Sequence, residues 1–434
     1  MDNKLNITIP MTRERSEIYD KMTAAVSDSV VKAVSFSLFG TLLIFPFSED
    51  NDLFLLMERE LPEISVNGKG FADLRVEAEV AAEGKFKEKC SASLEQIYDI
   101  LAKKAKLTKE TAASLKEREC VLAEKYVFAR HFGKRLFDIA SEKEKNIVLI
   151  ADTVYPREVV LRMAEKCGIC GKILITNEID SSENNDKTIF ETILKKGKSS
   201  AAAHLHIGGD IKKDVETPIL NGARALLLTD TTANMIKSGR TRGFAQSENI
   251  YDYDTAEFLA LHLAFGIYSA YIFDIPWNKT ALSDFCGNPY ILGFFVYGCG
   301  MKSDISRLDD KERTIFDALS ENPDCNRGGS DFCELFRLHF GDVEASLQFN
   351  GFQLPLKMLA EHGGSVDMEL LKNYMSAEAL SRWRREVTDA PAAPKILSGR
   401  EQNGLEKIAD KMFPPGTKVR NIADGILFKM KKKR

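Results

Sequence analysis

Short, almost continuously apolar segments recur along the chain between residues 33 and 228. Apolar runs of this length are typical of strands that are buried on both faces of a parallel sheet. Because helical spacing of apolar positions fills the intervals between the later runs, the pattern indicates strands that alternate with helices. It predicts five strands, at residues 33–36, 147–151, 172–176, 203–207 and 225–228.

A long helical stretch interrupts this alternation after the first strand. From residue 49 to residue 145 the sequence is rich in Glu, Lys, Ala and Leu, with apolar positions at helical spacing. We therefore predict an α/β fold, in which a doubly wound parallel sheet at 28–48 plus 146–250 carries an inserted helical cap at 49–145. A mainly helical C-terminal module with a basic tail is predicted for residues 251–434.

Composition and charge are those of an ordinary soluble globular protein. The 434 residues include 60 Lys and Arg against 64 Asp and Glu, a net charge of −4, which argues against a nucleic-acid binder. No apolar run has the length of a membrane span, and residues 1–10 lack the apolar core of a signal peptide. Eight cysteines spread over this length do not suggest a disulfide framework, so we expect a cytoplasmic location.

The carboxyl ends of the predicted strands are where a parallel α/β sheet places its functional residues. The sequence at these ends resembles the motifs of the haloacid dehalogenase-like (HAD) phosphohydrolases. The similar positions are residues 34–43 (VSFSLFGTLL), residues 147–156 (IVLIADTVYP), Lys187, and residues 206–214 (HIGGDIKKD). The resemblance implies a HAD-like, Rossmann-like core with a cap inserted after the first strand, which agrees with the hydrophobic pattern.

A narrower subgroup of this superfamily is similar over further stretches. Its members are bacterial proteins that accompany, or are fused to, glycosyltransferases of surface-polysaccharide synthesis. Their second and fourth motifs are similar to residues 151–156 (ADTVYP) and 206–210 (HIGGD), and further likeness lies at 71–78, 288–295 and 413–420. The resemblance implies that partners of this chain are glycosyltransferases or other surface-glycan assembly proteins.

Most catalytic positions that the resemblance implies carry a different residue here. The nucleophilic Asp of the family corresponds to Ser37, and its acid/base Asp corresponds to Phe39. The hydroxyl residue of the second motif corresponds to Ala151, and the first Asp of the fourth motif to Gly209. Lys187 keeps the residue type of the third motif, but a lone lysine is not a catalyst.

Asp210 and Asp214 remain as weak candidate ligands for a metal ion. Mg²⁺ prefers several oxygen ligands in an octahedral shell, so the missing carboxylates at Ser37 and Gly209 are expected to weaken its binding. We expect no cofactor, with Mg²⁺ as the candidate if one is bound. The favoured interpretation is a catalytically inactive HAD-like protein. The alternatives are an active hydrolase of phosphorylated metabolites or sugars with a reconfigured site, and a pure interaction module.

Four further patterns have both a structural and a functional interpretation, and the structural one is favoured for each. Cys167 and Cys170 lack the second Cys pair of a zinc ribbon and fit packing at a helix end. His204 and His206 point to the same face of a strand, as a metal pair or as two satisfied buried histidines. The aromatic-rich residues 265–297 fit a core or a domain interface. The basic residues 429–434 fit a solvated end, or weak contact with anionic membranes.

Overall fold

The structure, a computed structural model, describes residues 13–47, 49, 51–59, 61, 64–85, 92–178 and 186–232, and positions 263, 266, 267, 269–271, 274 and 338–340. The strands in this part of the chain are β1 (Ala33–Ser37), β2 (Leu43–Ile44), β3 (Phe128–Ala129), β4 (Asn146–Ala151), β5 (Lys172–Ile175), β6 (His204–Gly208) and β7 (Arg224–Leu227). The helices are α1 (Arg13–Ser27), α2 (Asp52–Arg59), α3 (Phe71–Lys85), α4 (Leu94–Ala105), α5 (Lys109–Tyr126), α6 (His131–Glu142), α7 (Arg157–Lys166), α8 (Asp186–Gly197) and α9 (Thr217–Leu220).

Strand β1 lies at the centre of the main sheet. Among the described residues the strand order is β5-β4-β1-β6-β7, and every neighbouring pair is parallel. Val34, for example, pairs with Ile147 of β4 on one side and with Leu205 of β6 on the other. Strands in such a sheet are buried on both faces, which is why their sequences are continuous apolar runs. The predicted doubly wound parallel sheet is confirmed.

The two faces of the sheet pack against different helices. Val34 and Phe36 of β1 belong to a large apolar cluster to which α1, α6 and α7 also contribute. On the opposite face, β4 and β5 pack against α8 in a smaller cluster that contains Phe190. Because side chains alternate between the faces of a strand, Ser35 and Ser37 of β1 point toward the α8 face.

The inserted cap consists of helices α2 to α5. The chain leaves the core after β2 and returns to it at β3, and these two short strands pair with each other antiparallel. Helix α4 begins with a capping box, in which Ser93 and Gln96 satisfy each other's backbone N–H groups. Leu94 N–H, next to that cap, donates to Val154 O at 2.8 Å, so the cap also touches the loop after β4.

A buried ion pair joins three of the cap helices. Arg75 of α3 and Glu119 of α5 are both fully buried, and the guanidinium makes two hydrogen bonds of 2.8 and 2.9 Å to the carboxylate. Tyr98 of α4 donates to the same carboxylate at 2.8 Å. The guanidinium also lies 4.5 Å from the ring centroid of Phe54 in α2. All four cap helices therefore meet at Arg75. Among the described helices none is long and apolar enough to span a bilayer.

Candidate functional site at the carboxyl edge of the sheet

Ser37 is the last residue of β1 and lies at the carboxyl edge of the sheet. The strand ends in a tight turn, in which Leu38 N–H donates to Ile150 O at 2.7 Å and Gly40 N–H donates to Leu43 O at 2.8 Å. Gly40 has a φ of +77°, a left-handed conformation that glycine adopts without steric cost. The turn holds the half-buried Ser37 hydroxyl at the end of the central strand, where the family resemblance places the nucleophile.

Asp214 lies directly beside this hydroxyl. Ser37 Oγ donates to Asp214 Oδ1 at 2.8 Å, and Asp210 N–H donates to Asp214 Oδ2 at 2.9 Å. Asp214 is buried and belongs to a π-helical turn, Ile211–Glu216, which follows β6. A Cβ atom at Gly208 would lie 2.2 Å from Asp214 Oδ2, so this position has room only for glycine. The turn after β6 thus delivers a carboxylate onto the end of β1.

Asp210 and Asp214 take different places, although sequence reasoning paired them as candidate metal ligands. Asp210 is exposed, and its Oδ1 accepts a hydrogen bond of 2.8 Å from Lys213 N–H, which caps the π-helical turn. Asp214 points inward, toward Ser37. Each carboxylate is therefore engaged by donors of the protein itself.

A chain of buried hydrogen bonds continues from Asp214 into the sheet. His206 Nε2 lies 3.0 Å from Asp214 Oδ1, and His206 Nδ1 lies 2.7 Å from Ser35 Oγ. Ser35 Oγ lies 2.8 Å from His204 Nε2, and His204 Nδ1 lies 2.9 Å from Ser199 Oγ. The predicted placement of both histidines on one face is confirmed, and their ring nitrogens are satisfied.

The ionised Asp214 fixes the direction of every bond in this chain, because a carboxylate only accepts. His206 Nε2 therefore donates to Asp214, so the Nδ1 atom of the neutral ring accepts from Ser35. The Ser35 oxygen then accepts from His204 Nε2, and His204 Nδ1 accepts from Ser199. Both imidazoles are neutral in this arrangement. Burial lowers the pKa of His204 to about 4, with a smaller contribution from His206, in agreement with a neutral ring.

The same hydrogen bonds make Asp214 a poor general base. Burial alone would raise the pKa of Asp214, but the hydrogen bonds that it accepts, first of all from His206, hold the pKa below its usual range. A serine hydroxyl becomes nucleophilic when a neighbouring base takes its proton, and a base of low pKa does this weakly at neutral pH. The Ser37 hydroxyl is held in place by Asp214 but is not activated by it.

Two charged residues that sequence reasoning did not single out flank Ser37. Asp152, directly after β4, accepts hydrogen bonds from Thr176 Oγ1 at 2.9 Å and from Lys213 Nζ at 2.7 Å. Because β4 and β6 lie on either side of β1, the Lys213–Asp152 ion pair spans the edge at which Ser37 ends. The sequence signal for Asp152 was its place one residue after a predicted strand.

The other replaced positions have structural surroundings of their own. Ala151 is fully buried at the end of β4. Phe39 stacks on Phe45 with the ring centroids 6.2 Å apart. Gly209 lies close to the loop after β7, since a Cβ atom there would be 3.3 Å from Leu228 O. Lys187 belongs to α8, and its side chain lies outside the described residues.

The residues at this edge do not fit a magnesium ion as they are arranged. The described part of the chain contains no group of three or more His, Cys, Asp or Glu side chains that is placed to hold a metal ion. Both oxygens of Asp214 accept hydrogen bonds from the protein, and Ser37 offers a neutral hydroxyl where a carboxylate ligand is implied. A hard cation needs several oxygen ligands that are free to turn toward it.

No protein-family model matches the sequence, and no curated protein matches it significantly. Several solved structures are similar to it, each over 46% of this chain. They include a haloacid dehalogenase-like family hydrolase from Xanthomonas campestris (16% identity, 82% of that chain, TM-score 0.34) and a defluorinating L-2-haloacid dehalogenase, Rha0230 (14%, 82%, 0.34). A predicted phosphoglycolate phosphatase from Haemophilus somnus is similar at 14% identity over 87% of its length (TM-score 0.32). The activities in these descriptions belong to those proteins.

Proposed function

We propose that this chain is a HAD-like protein without phosphohydrolase activity and that it acts as an accessory in bacterial surface-polysaccharide synthesis. The observation that carries the first half is the state of Ser37. The hydroxyl at the implied nucleophile position donates its proton to a carboxylate of lowered pKa. Formation of an aspartyl-phosphate requires a carboxylate nucleophile at that position, and a serine hydroxyl in this state does not replace it.

The charges at the edge also argue against turnover of a phosphate ester. Asp152, Asp210 and Asp214 lie near the ends of β4 and β6, and the ammonium of Lys213 is already paired with Asp152. A phosphate dianion entering this edge meets carboxylates, and without a divalent cation their repulsion is not offset.

The second half of the proposal rests on the resemblance of residues 151–156 and 206–210 to the glycosyltransferase-associated subgroup. It makes a glycosyltransferase or another surface-glycan assembly protein the partner of this chain. A bacterial cytoplasmic location agrees with that role.

An active hydrolase is the second candidate, and one observation favours it. The Ser37 hydroxyl is only half buried and already makes a 2.8 Å hydrogen bond to a carboxylate. In that reading Ser37 is the nucleophile and Asp214 receives its proton.

An activity assay on the purified full chain separates the two candidates. We expect no Mg²⁺-dependent hydrolysis across a panel of phosphomonoesters, including sugar phosphates. Turnover that survives repeated purification, disappears in Ser37→Ala and persists in the exposed-serine control Ser141→Ala would establish the hydrolase instead.

Genetic complementation tests the accessory role. Deletion of the gene is expected to reduce surface polysaccharide, and the Ser37→Ala variant is expected to restore it as well as the unmodified gene. Unchanged polysaccharide after deletion would contradict the glycan role, whereas failure of Ser37→Ala alone, with normal protein levels, would contradict the non-catalytic role.

A further inference from the structure

The cap joins the core through two short linkers that lie side by side. Residues 45–47 lead from β2 into the cap, and Tyr126 and Val127 lead from the cap to β3. Arg130 N–H donates to Leu42 O at 2.8 Å and ties the two linkers together beside the β2–β3 pair. Any rotation of the cap relative to the sheet must bend these linkers, so they form its hinge.

Residues from far along the chain pack directly on this hinge. Phe340 is fully buried, with its ring 5.5 Å from that of Tyr126 and 6.2 Å from that of Phe47, so it contacts both linkers. Leu263 and Ile267 are also fully buried and belong to the same apolar cluster as Phe47. The hinge is therefore covered by an apolar layer rather than by water.

The backbone at position 266 approaches the first linker closely. A Cβ atom at Gly266 would lie 2.2 Å from Pro46 O, a distance that no side chain tolerates. Glycine at this position lets the later segment lie against the linker backbone.

Polar contacts join the later segment to the other side of the hinge. The Tyr271 ring stacks on Phe128 of β3 at 5.7 Å, and the Tyr271 hydroxyl lies 2.7 Å from His339 Nε2. Asp274 accepts hydrogen bonds from Arg130 Nε at 2.7 Å and from Phe132 N–H at 2.9 Å. The buried guanidinium of Arg130 also donates to three carbonyl groups of the core, those of Gly40, Leu228 and Thr229. One arginine thus links the turn after β1, the loop after β7 and the later segment.

We propose that the described positions between 263 and 274, together with 338–340, form a strap that locks the hinge between cap and core. Leu263, Ile267 and Phe340 fill the apolar side of the hinge, and the Asp274–Arg130 pair fastens the strap to both loops at the carboxyl edge. A buried ion pair with satisfied hydrogen bonds and a close-packed aromatic contact each lose free energy when the partners separate. The cap of this chain is consequently held in one position over Ser37 and does not open and close. This inference does not depend on the proposed function.

Amide hydrogen exchange of the full chain tests the strap. The hinge amides of Val127 and Arg130 donate to Ala123 O and Leu42 O. In Phe340→Ala, which removes a fully buried ring, we expect their exchange to accelerate at least about tenfold, while exchange in β4 and β6 stays unchanged. Tyr271→Leu is expected to have the same effect on a smaller scale.

Phe190→Ala provides the matched control, because Phe190 is also buried but lies on the far face of the sheet. Equal acceleration at the hinge in this variant, or none in Phe340→Ala, would overturn the proposal. If Phe340→Ala does not fold, Phe340→Leu and Tyr271→Leu decide the question by the same comparison.

Discussion

Ser37 differs from an aspartate by a single functional group, and that group changes both partners of the site. A carboxylate at this position would face Asp214 with like charge at hydrogen-bonding distance, which is tolerated when a divalent cation lies between them. The hydroxyl instead donates to Asp214 at 2.8 Å and removes the need for a cation. The residue at the end of β1 thereby decides whether the edge attracts a metal ion.

Restoring the carboxylates is predicted to restore cation binding. The double variant Ser37→Asp with Gly209→Asp is expected to bind Mg²⁺ in calorimetry at concentrations at which the unmodified chain shows no heat. The new side chain at position 209 must move by a few tenths of an ångström away from Leu228 O. The double variant Ser37→Asn with Gly209→Asn has nearly the same shape without the charges. Equal binding by the two variants would show that carboxylates at these positions are not the ligands.

The buried histidines predict a specific loss of stability in acid. The folded-state pKa of His204 is about 4 against an ordinary value of 6.5, so the unfolded chain binds the proton more readily. Stability from this residue is present above pH 6.5 and is lost as the pH falls from 6.5 to 4, by roughly 3 kcal/mol in all. Burial lowers the pKa of His339 to about 4 as well, which adds to the loss in the same window. The lowered pKa of Asp214 acts at lower pH, as that carboxylate becomes protonated.

Urea unfolding between pH 7.5 and 4 measures this effect. The slope of the unfolding free energy against pH is expected to be smaller in His204→Gln than in the unmodified chain. In the control His131→Gln, which removes an exposed imidazole, the slope should be retained. An identical slope in both variants would remove His204 from the explanation.

At the scale of elements, the hydrophobic pattern predicted the strands because burial on both faces leaves an unmistakable apolar run. The predicted strand at 147–151 corresponds to β4 (Asn146–Ala151) within one residue, and the other predicted strands match comparably. The pattern missed α1 and the π-helical turn after β6. That turn depends on contacts of Asp210 and Asp214 with backbone N–H groups, and such contacts leave no periodicity in the sequence.

Pairings between distant elements were beyond the reach of the pattern for the same reason. Arg75 and Glu119 are 44 residues apart, and each reads alone as an ordinary exposed helix charge. The contact between Ser37 and Asp214 spans 177 residues, so the sequence placed both at strand ends without showing that they touch. Periodicity reports which face of an element is buried, but not which partner covers it.

The buried pair in the cap predicts an asymmetry between single and double substitutions. Arg75→Met leaves the Glu119 carboxylate buried without its partner and is expected to destabilise the cap by about 3–5 kcal/mol. The double variant Arg75→Met with Glu119→Leu removes both charges and is expected to regain most of that loss. Denaturant unfolding of the three proteins measures the difference. A double variant that is less stable than Arg75→Met would indicate that the ion pair stabilises the cap by more than its desolvation costs.

At the scale of the whole molecule, the aromatic-rich stretch and the basic tail have different standings. Tyr271 lies in that stretch and packs on Phe128, which agrees with the predicted interface for this residue. The remaining aromatic residues to 297 and the tail at 429–434 lie outside the described residues. Contact of the tail with a membrane therefore stays a proposal from the sequence.

Vesicle co-sedimentation tests the tail. Five basic residues near an anionic surface contribute about 1 kcal/mol each at most, and salt screens this attraction. We expect the full chain to bind vesicles rich in phosphatidylserine weakly at low salt, and a chain that ends at Gly425 not to bind. A full-length variant with glutamine at the five basic positions separates the charges from the preceding apolar residues. Equal sedimentation of all three proteins at low salt would exclude a membrane role for the tail.

The central position of β1 has a consequence for the order in which the chain folds. Its neighbours in the sheet begin at Asn146 and His204, so each side of β1 is paired with a segment that is synthesised more than 100 residues later. Closure of such long loops precedes any gain from sheet contacts, and high contact order slows folding. Cap helices α3 and α4, by contrast, are close neighbours in sequence and pack on each other. During synthesis the cap is therefore expected to become compact on the ribosome while β1 still waits for β6, the strand that completes its pairing.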